Sequence, residues 1–227
     1  MSTVRVLLMG YGRMGRLVES LAPEAGVEIA GRVDIDNADR PLDWPAADVA
    51  IDFSTAAAVP SNARLLAARG THLVIGTTGW HDQEEAVRRD LAAYPIGVVS
   101  APNFALGVNL FVALAARAAE LLAERPEFGS WIHELHHKAK RDAPSGTAFA
   151  IRDAMQQAGY TLPIDVASTR VGSIPGTHTV GFDSPADTIT LTHTARDRTG
   201  FARGALEAAR WVNGRRGWFS MRDVLGL

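Results

Sequence analysis

The stretch VRVLLMGYGRMG, residues 4–15, decides how the fold is read. Val4 to Met9 is a short apolar run of the kind that forms a buried strand, and Arg13 to Leu21 reads as a helix. Between them Gly10-Tyr11-Gly12-Arg13-Met14-Gly15 matches G-x-G-x-x-G, and its place between strand and helix gives the match its weight. Gly10 permits the tight turn, Gly12 lets a pyrophosphate approach the backbone, and Gly15 lets the helix pack on the strand. The phosphates would rest on the helix N-terminus, where unpaired N–H groups and the helix dipole favour anions. The acidic residue that such sites carry about 20 positions on, for the ribose hydroxyl, is Asp34, at the end of the apolar run Val27 to Val33. Asp34 favours NADH, and Ile35 beside it cannot clamp a 2′-phosphate, although Arg13 or Arg32 could. The expectation is therefore NADH or NADPH, with NADH favoured. The competing reading is a glycine turn in a fold that binds no nucleotide.

Working outward, short apolar runs alternate with helical segments. Ala47 to Phe53, Leu73 to Ile75 and Ile96 to Val99 read as strands; Ala56 to Ala68 and His81 to Ala93 read as helices. This alternation predicts an α/β fold, a Rossmann-type doubly wound parallel sheet. The segment between Asp36 and Ala46 carries two prolines and predicts a loop where many such folds place a helix. After Asn103 the rhythm changes: a long Ala/Leu helix over Val108 to Ala123, then strands over Trp131–Leu135, Val166–Val171, His178–Phe182 and Thr188–Ala195. In the last, Thr188, Thr190, Thr192 and Thr194 share one face and Ile189, Leu191, His193 and Ala195 the other. That pattern predicts a second α+β domain on a mixed or antiparallel sheet. Phe201 to Val212 is helical again. The expected division is residues 1–105 with 199–227 as a dinucleotide-binding domain and 106–198 as a substrate-binding and oligomerisation domain.

Composition narrows the function classes. The 227 residues are 47% hydrophobic and 21% charged, with 23 Lys and Arg against 25 Asp and Glu. A net charge of −2 supplies no global attraction to nucleic acid or to an anionic membrane. The absence of cysteine excludes disulfides, thiol nucleophiles and Cys-ligated zinc. No run reaches the ~18 apolar residues of a membrane helix and no signal-peptide pattern opens the chain, so the expectation is a soluble, cytoplasmic protein.

The other dense region is HELHHKAKRDAPSGTA, residues 133–148, which holds three of the seven histidines. Its first letters match the H-E-x-x-H of zinc proteases. That pattern needs a helix to place both histidines on one face, and helix support here is thin. Lys138, Lys140 and Arg141 follow directly and would repel a divalent ion, so no metal is expected. A second reading is a solvated basic loop. A third is chemistry on an anionic substrate beside a nicotinamide. Pro144-Ser145-Gly146-Thr147 reads as a helix start with Ser145 as N-cap, and a helix N-terminus beside cations can hold a carboxylate. His136 and His137 suit acid–base work near neutrality, and Lys140 offers a point charge or a proton. Asp52 to Thr55 could line a cofactor cleft or cap the next helix. Arg170 and Gly172 could serve a substrate pocket or a surface turn, and Trp131 reads as core or interface.

The run Glu134-Leu-His136-His137-Lys138-Ala-Lys140-Arg-Asp142-Ala-Pro144-Ser145-Gly146-Thr147-Ala148 resembles the signature of the dihydrodipicolinate reductase family, also called 4-hydroxy-tetrahydrodipicolinate reductases, of lysine and diaminopimelate synthesis. GYGRMG at 10–15, IDFST at 51–55, VIGTTGW at 74–80, APNFALGVN at 101–109, FARGALEAARW at 201–211 and MRDVL at 221–225 extend the resemblance over essentially the whole chain. It implies an NAD(P)H-dependent oxidoreductase acting on a cyclic dicarboxylate. His136 and Lys140 take the catalytic proton-transfer roles; His137, Ser145, Gly146 and Thr147 bind substrate. Gly10, Gly12, Arg13, Met14, Gly15 and Asp34 bind cofactor, with Gly76, Thr77, Thr78, Ala101, Pro102, Asn103 and Phe104 in two further loops. It also implies a homotetramer built through the second sheet, and a second domain that closes over the cofactor. His133 and Glu134 are the residues expected to matter least. The chain looks shorter than typical members around residues 35–46. Two other readings stay open: a nicotinamide-dependent reductase of another dicarboxylate or imine, and a non-catalytic nucleotide-binding regulator.

Overall fold

The structure, a computed structural model, describes residues 3–227. The chain divides into two compact units, one running through Leu106 and resuming at Thr199–Leu227, the other spanning Gly107–Arg198. No helix among the described residues is long and apolar enough to cross a membrane.

The first unit is built on strands β1 (Val4–Met9), β2 (Val27–Val33), β3 (Val49–Asp52), β4 (His72–Ile75), β5 (Gly97–Ser100) and β10 (Gly217–Phe219). All pair in parallel, in the order β10-β5-β4-β3-β1-β2. Parallel strands need covering on both faces, and the strand alternation supplies two apolar surfaces. Val6 and Leu8 join one cluster with α1 (Arg13–Leu21), α6 (Thr199–Val212) and α7 (Met221–Leu225). Leu7 and Met9 join the other with α2 (Val59–Ala68) and α3 (Glu84–Leu91). This is the expected doubly wound sheet. The order reverses between β2-β1 and β3-β4, and at such a switch point the C-terminal ends of the strands form a crevice. The turns after β1, β3, β4 and β5 all lie on that edge.

The segment between Asp36 and Ala46 forms turns and a single 3-10 turn at Pro41–Asp43, with no α-helix. Trp44 covers the sheet instead: it is buried among Leu7, Met9, Val33 and Leu66, and its Nε1 donates to the Asn37 carbonyl at 3.1 Å. Gly31 makes room for this path, since a Cβ there would stand 2.4 Å from Pro45 Cγ. Expectation and structure differ at the C-terminus. The strand β10 and helix α7 have no signature in the sequence, because three and five residues are too short to show a periodicity. Ser220 and Asp223 nevertheless form a capping box at the start of α7.

The second unit carries β6 (Gly129–His136), β7 (Ile164–Arg170), β8 (Thr177–Asp183) and β9 (Thr188–Thr194) in the order β7-β6-β8-β9. β6 and β7 are parallel and the other pairs antiparallel, giving the expected mixed sheet. One face is covered by α4 (Leu106–Leu122) and α5 (Gly146–Gln157): Phe111, Ala115, Ala148, Ile151 and Met155 pack on Ile132, Val180 and Phe182. The other face carries Trp131, His133 and the threonines. There Thr177 meets Thr194 at 3.1 Å and Thr179 meets Thr192 at 3.0 Å, cross-strand pairs that lock the register of β8 on β9. Trp131 lies flat over Gly181, where a Cβ would be 2.2 Å from the indole.

Candidate active site

The glycine turn of the first unit has the geometry its spacing implies. Gly10 adopts φ +88°, and a Cβ there would meet the Phe53 carbonyl oxygen at 2.6 Å. A Cβ on Gly15 would stand 2.3 Å from the Gly10 oxygen, so α1 packs directly on the turn. Gly12 differs: a Cβ there would have no neighbour within 4 Å. Gly12 is also the N-cap of α1 and has no side chain to cap it. Sterically Gly12 need not be glycine, and the open backbone N–H groups beside it suit a phosphate. Arg13 is exposed beside them and Met14 is half-buried.

The other residues expected to bind cofactor fall on the same edge of the sheet. Asp52 is buried, and its carboxylate accepts from the Ser54 N–H at 2.9 Å, Asn62 Nδ2 at 3.0 Å and Thr77 Oγ1 at 2.8 Å. Asp52 does not cap α2, whose N-cap is Ala58; it ties the turn after β3 to the loop after β4. Gly76 lies under the Phe53 ring, which a Cβ would approach to 2.2 Å, and Thr78 is exposed. Ala101 and Phe104 are buried, Pro102 is exposed, and Asn103 Oδ1 accepts from the Ala105 N–H at 2.8 Å. Asp34 is exposed at the end of β2, its N–H held by Asn37 Oδ1 at 2.8 Å. Arg32, one of the two arginines able to meet a 2′-phosphate, is ion-paired to Glu19 and lies over the Tyr11 ring.

In the second unit the strand β6 runs one residue further than its sequence suggested and includes His136. Glu134 and His136 therefore share the helix-covered face, while His133 points the other way and bonds Thr169 Oγ1 at 2.9 Å. A strand cannot place His133 and His137 as the zinc-protease pattern requires. Glu134 is 0% exposed. It hydrogen-bonds His136 Nδ1, and Arg170 grips both its oxygens, Nη1 to Oε2 at 3.0 Å and Nη2 to Oε1 at 2.7 Å. Its Oε1 also accepts the Ser145 N–H at 3.2 Å. The expectation that Glu134 matters little is thus overturned: it is the most connected side chain of the region. His178 on β8 completes the group, with its ring edge-on to His136 at 5.2 Å between centroids. Ligand atoms of Glu134, His136 and His178 lie within 4.8 Å of one another, but a cation bridging them would face the Arg170 guanidinium.

Ser145 caps α5 as expected, its Oγ accepting from the Ala148 N–H at 3.2 Å and meeting His178 Nε2 at 3.2 Å. Its own N–H goes to Glu134, so the donors left at the helix start are those of Gly146 and Thr147. Lys140, with its side chain 24% exposed, pairs with Asp142 at 2.7 Å. His137 is half-buried on the same loop. Arg170 serves Glu134 and the Asp142 carbonyl, while Gly172 turns the chain with φ +54°.

Burial opposes the Glu134 anion, yet hydrogen bonds from Arg170, Ser168 and His136 outweigh it and hold its pKa at about 2. Burial lowers the His136 pKa, with Lys140 and Arg170 adding to this, against the pull of Glu134. Burial, with repulsion from His136, pushes His178 down to about 4, so it is neutral near neutral pH. The Lys140 ammonium lowers Asp142, with a contribution from the Gly146 N–H. The second unit thus offers a buried histidine with one nitrogen on a carboxylate, a lysine, and a helix start whose N–H and lysine already hold a carboxylate.

Models of the dihydrodipicolinate reductase N-terminus and C-terminus match residues 4–104 and 107–225. The chain belongs to the dihydrodipicolinate reductase family. It is an enzyme of the oxidoreductase class. The 4-hydroxy-tetrahydrodipicolinate reductase of Acidiphilium cryptum is 43% identical over 95% of this chain and 94% of its own length. That of Myxococcus xanthus is 40% identical over 92% of this chain and 84% of its own. Among solved structures, the dipicolinate-bound dihydrodipicolinate reductase of Paenisporosarcina sp. TG-14 superposes with a TM-score of 0.78 at 22% identity, over 96% of this chain and 98% of that one. An amine dehydrogenase of Mycobacterium smegmatis gives 0.65 at 12% identity, over 98% and 96%. At those identities the two likenesses bear on the fold alone. The nicotinamide-type sheet of the first unit and the dihydrodipicolinate reductase signature of the second therefore occur together in one family.

Proposed function

We propose that the chain reduces 4-hydroxy-tetrahydrodipicolinate (dihydrodipicolinate) to tetrahydrodipicolinate with NADH or NADPH, in diaminopimelate and lysine synthesis in the cytoplasm. The observation that carries this reading is the second unit's grouping of a buried, carboxylate-bound histidine with a lysine and a helix start, all on one side of one sheet. Bound NADH or NADPH supplies the hydride. Gly10, Gly12 and Gly15 shape the turn on which its pyrophosphate rests, with Arg13 and Met14 opening the helix beyond. The loops Gly76–Thr78 and Ala101–Phe104 border it at the ends of β4 and β5. Asp34 takes the ribose hydroxyl, and the commitment of Arg32 to Glu19 favours NADH.

Lys140 and the Gly146 N–H hold the Asp142 carboxylate in this structure; in the complex they hold a carboxylate of the substrate instead, with Thr147 and His137 beside them. Loss of the 4-hydroxyl as water gives the conjugated dihydrodipicolinate ring; hydride adds to it, and His136, or Lys140 next to it, gives the proton to the carbanion-like ring centre that this leaves. The bare threonine face of the second sheet is the surface we assign to the homotetramer.

A coupled assay tests this reading: substrate is generated by its synthase and loss of reduced nicotinamide is followed at roughly 340 nm, where it absorbs. Turnover that depends on the synthase is expected, with the higher kcat/KM for NADH. A strong NADPH preference would overturn the role given to Asp34. Binding of NADH without turnover would point instead to a non-catalytic nucleotide-binding regulator.

A further inference from the structure

Glu134 is fully buried and has no part in the proposed proton transfer itself, yet it joins the His136 ring to the start of α5. Its Oε2 meets His136 Nδ1 and its Oε1 meets the Ser145 N–H at the start of α5. Arg170, from the neighbouring strand, clamps both oxygens and also reaches the Asp142 carbonyl. The parallel register that sets His136 opposite Arg170 brings the guanidinium to this carboxylate. A buried carboxylate held by a bidentate arginine is fixed in orientation. An ionised carboxylate can only accept a hydrogen bond, so the His136 nitrogen facing it must carry the proton. The other nitrogen, Nε2, lies against Gly176, where a Cβ would stand 3.0 Å away. Gly176 thus leaves open the side of the ring that Glu134 does not use.

We propose that Glu134 is the positioning residue of the site: it fixes the Nδ1–H tautomer of His136, stabilises the imidazolium that donates from Nε2, and ties this ring to the start of α5. The proposal rests on the functional reading above and names how its acid is set. The charged and titratable groups facing His136 are Glu134 on its own strand, Arg170 on β7, His178 on β8, and Lys140 and Asp142 on the loop leading to α5. Of these Glu134 is the one whose charge favours the imidazolium through direct contact. His178 is neutral near neutral pH, and Asp142 is paired with Lys140.

The test uses the full chain and two variants. Glu134→Gln keeps the shape but removes the charge; kcat should fall about 10²-fold with a smaller change in KM. The alkaline limb of the kcat profile should move to lower pH, because the imidazolium loses its stabilising charge. Since Glu134→Gln leaves the half-buried Arg170 without a countercharge, Glu134→Gln with Arg170→Met removes both charges. If Glu134 merely neutralises Arg170, the double variant regains wild-type kcat and pH profile, and the proposal falls. If it positions His136, the double variant melts near the wild-type temperature and its kcat stays low. Independently of any variant, ¹⁵N shifts of His136 in the wild-type chain should show Nδ1 protonated and Nε2 bare above its titration. A proton on Nε2 there overturns the proposal even if both variants fail to fold. Full activity of both His136→Ala and Lys140→Ala would refute the functional reading and this one together, and full activity of His136→Ala alone would refute this one. Loss in His136→Ala with wild-type behaviour of Glu134→Gln would refute this one alone.

Discussion

His136→Ala should lower kcat by about 10²–10⁴-fold, the range that a positioned general acid contributes, while KM and the melting temperature change little. The ring sits on the covered face of β6 with one nitrogen on Glu134 and the other beside Gly176. Removing it leaves Glu134 still gripped by Arg170 and still bonded to the Ser145 N–H, so no buried charge loses its main partner. Lys140→Ala should behave differently. Lys140 is the cation that holds a carboxylate, so its loss should raise KM as well as lower kcat. Steady-state kinetics on both variants, with thermal melts as controls, check this. Wild-type kinetics in both would refute the site.

The second large effect separates two glycines that the motif treats alike. Gly15→Ala puts a methyl 2.3 Å from the Gly10 carbonyl oxygen, which cannot move without breaking the turn. It should cost about 1–3 kcal/mol of stability by overpacking and weaken NADH binding at the same time. Gly12→Ala puts a methyl into open space, so the fold should be unaffected. If that space is where the pyrophosphate approaches, the same methyl should weaken NADH by about tenfold or more, a loss of about 1.4 kcal/mol. Melting curves and NADH titrations of the two variants provide the comparison. Unchanged NADH affinity in Gly12→Ala would remove the pyrophosphate from this turn.

The glycine motif made the first unit legible because the turn it needs is local: strand, three glycines and helix are contiguous in the chain. Ser145 was legible for the same reason, since a cap and the N–H it accepts are three residues apart. Glu134 was not. A strand that stops at Leu135 puts His136 in a loop, and the zinc pattern points to His133 instead. One more residue of strand places Glu134 and His136 two apart on one face, and that period is the signal that could have found them. Arg170 was beyond reach in a different way. Its place opposite His136 is set by the register of β7 on β6, across 33 residues of intervening chain that fix no local pattern. Trp44 shows the same limit, because its role as a lid over the sheet depends on the absence of a helix that the prolines prevent.

In the proposed reaction hydride passes from the cofactor to a ring held by the second unit, while a protein acid gives the proton. Its most direct test is turnover in ordinary water with nicotinamide cofactor deuterated at the transferring position, followed by mass spectrometry of the product. The account predicts one deuterium retained on a ring carbon of tetrahydrodipicolinate, with the other new hydrogen drawn from solvent. A product without deuterium, formed at the wild-type rate, would contradict it.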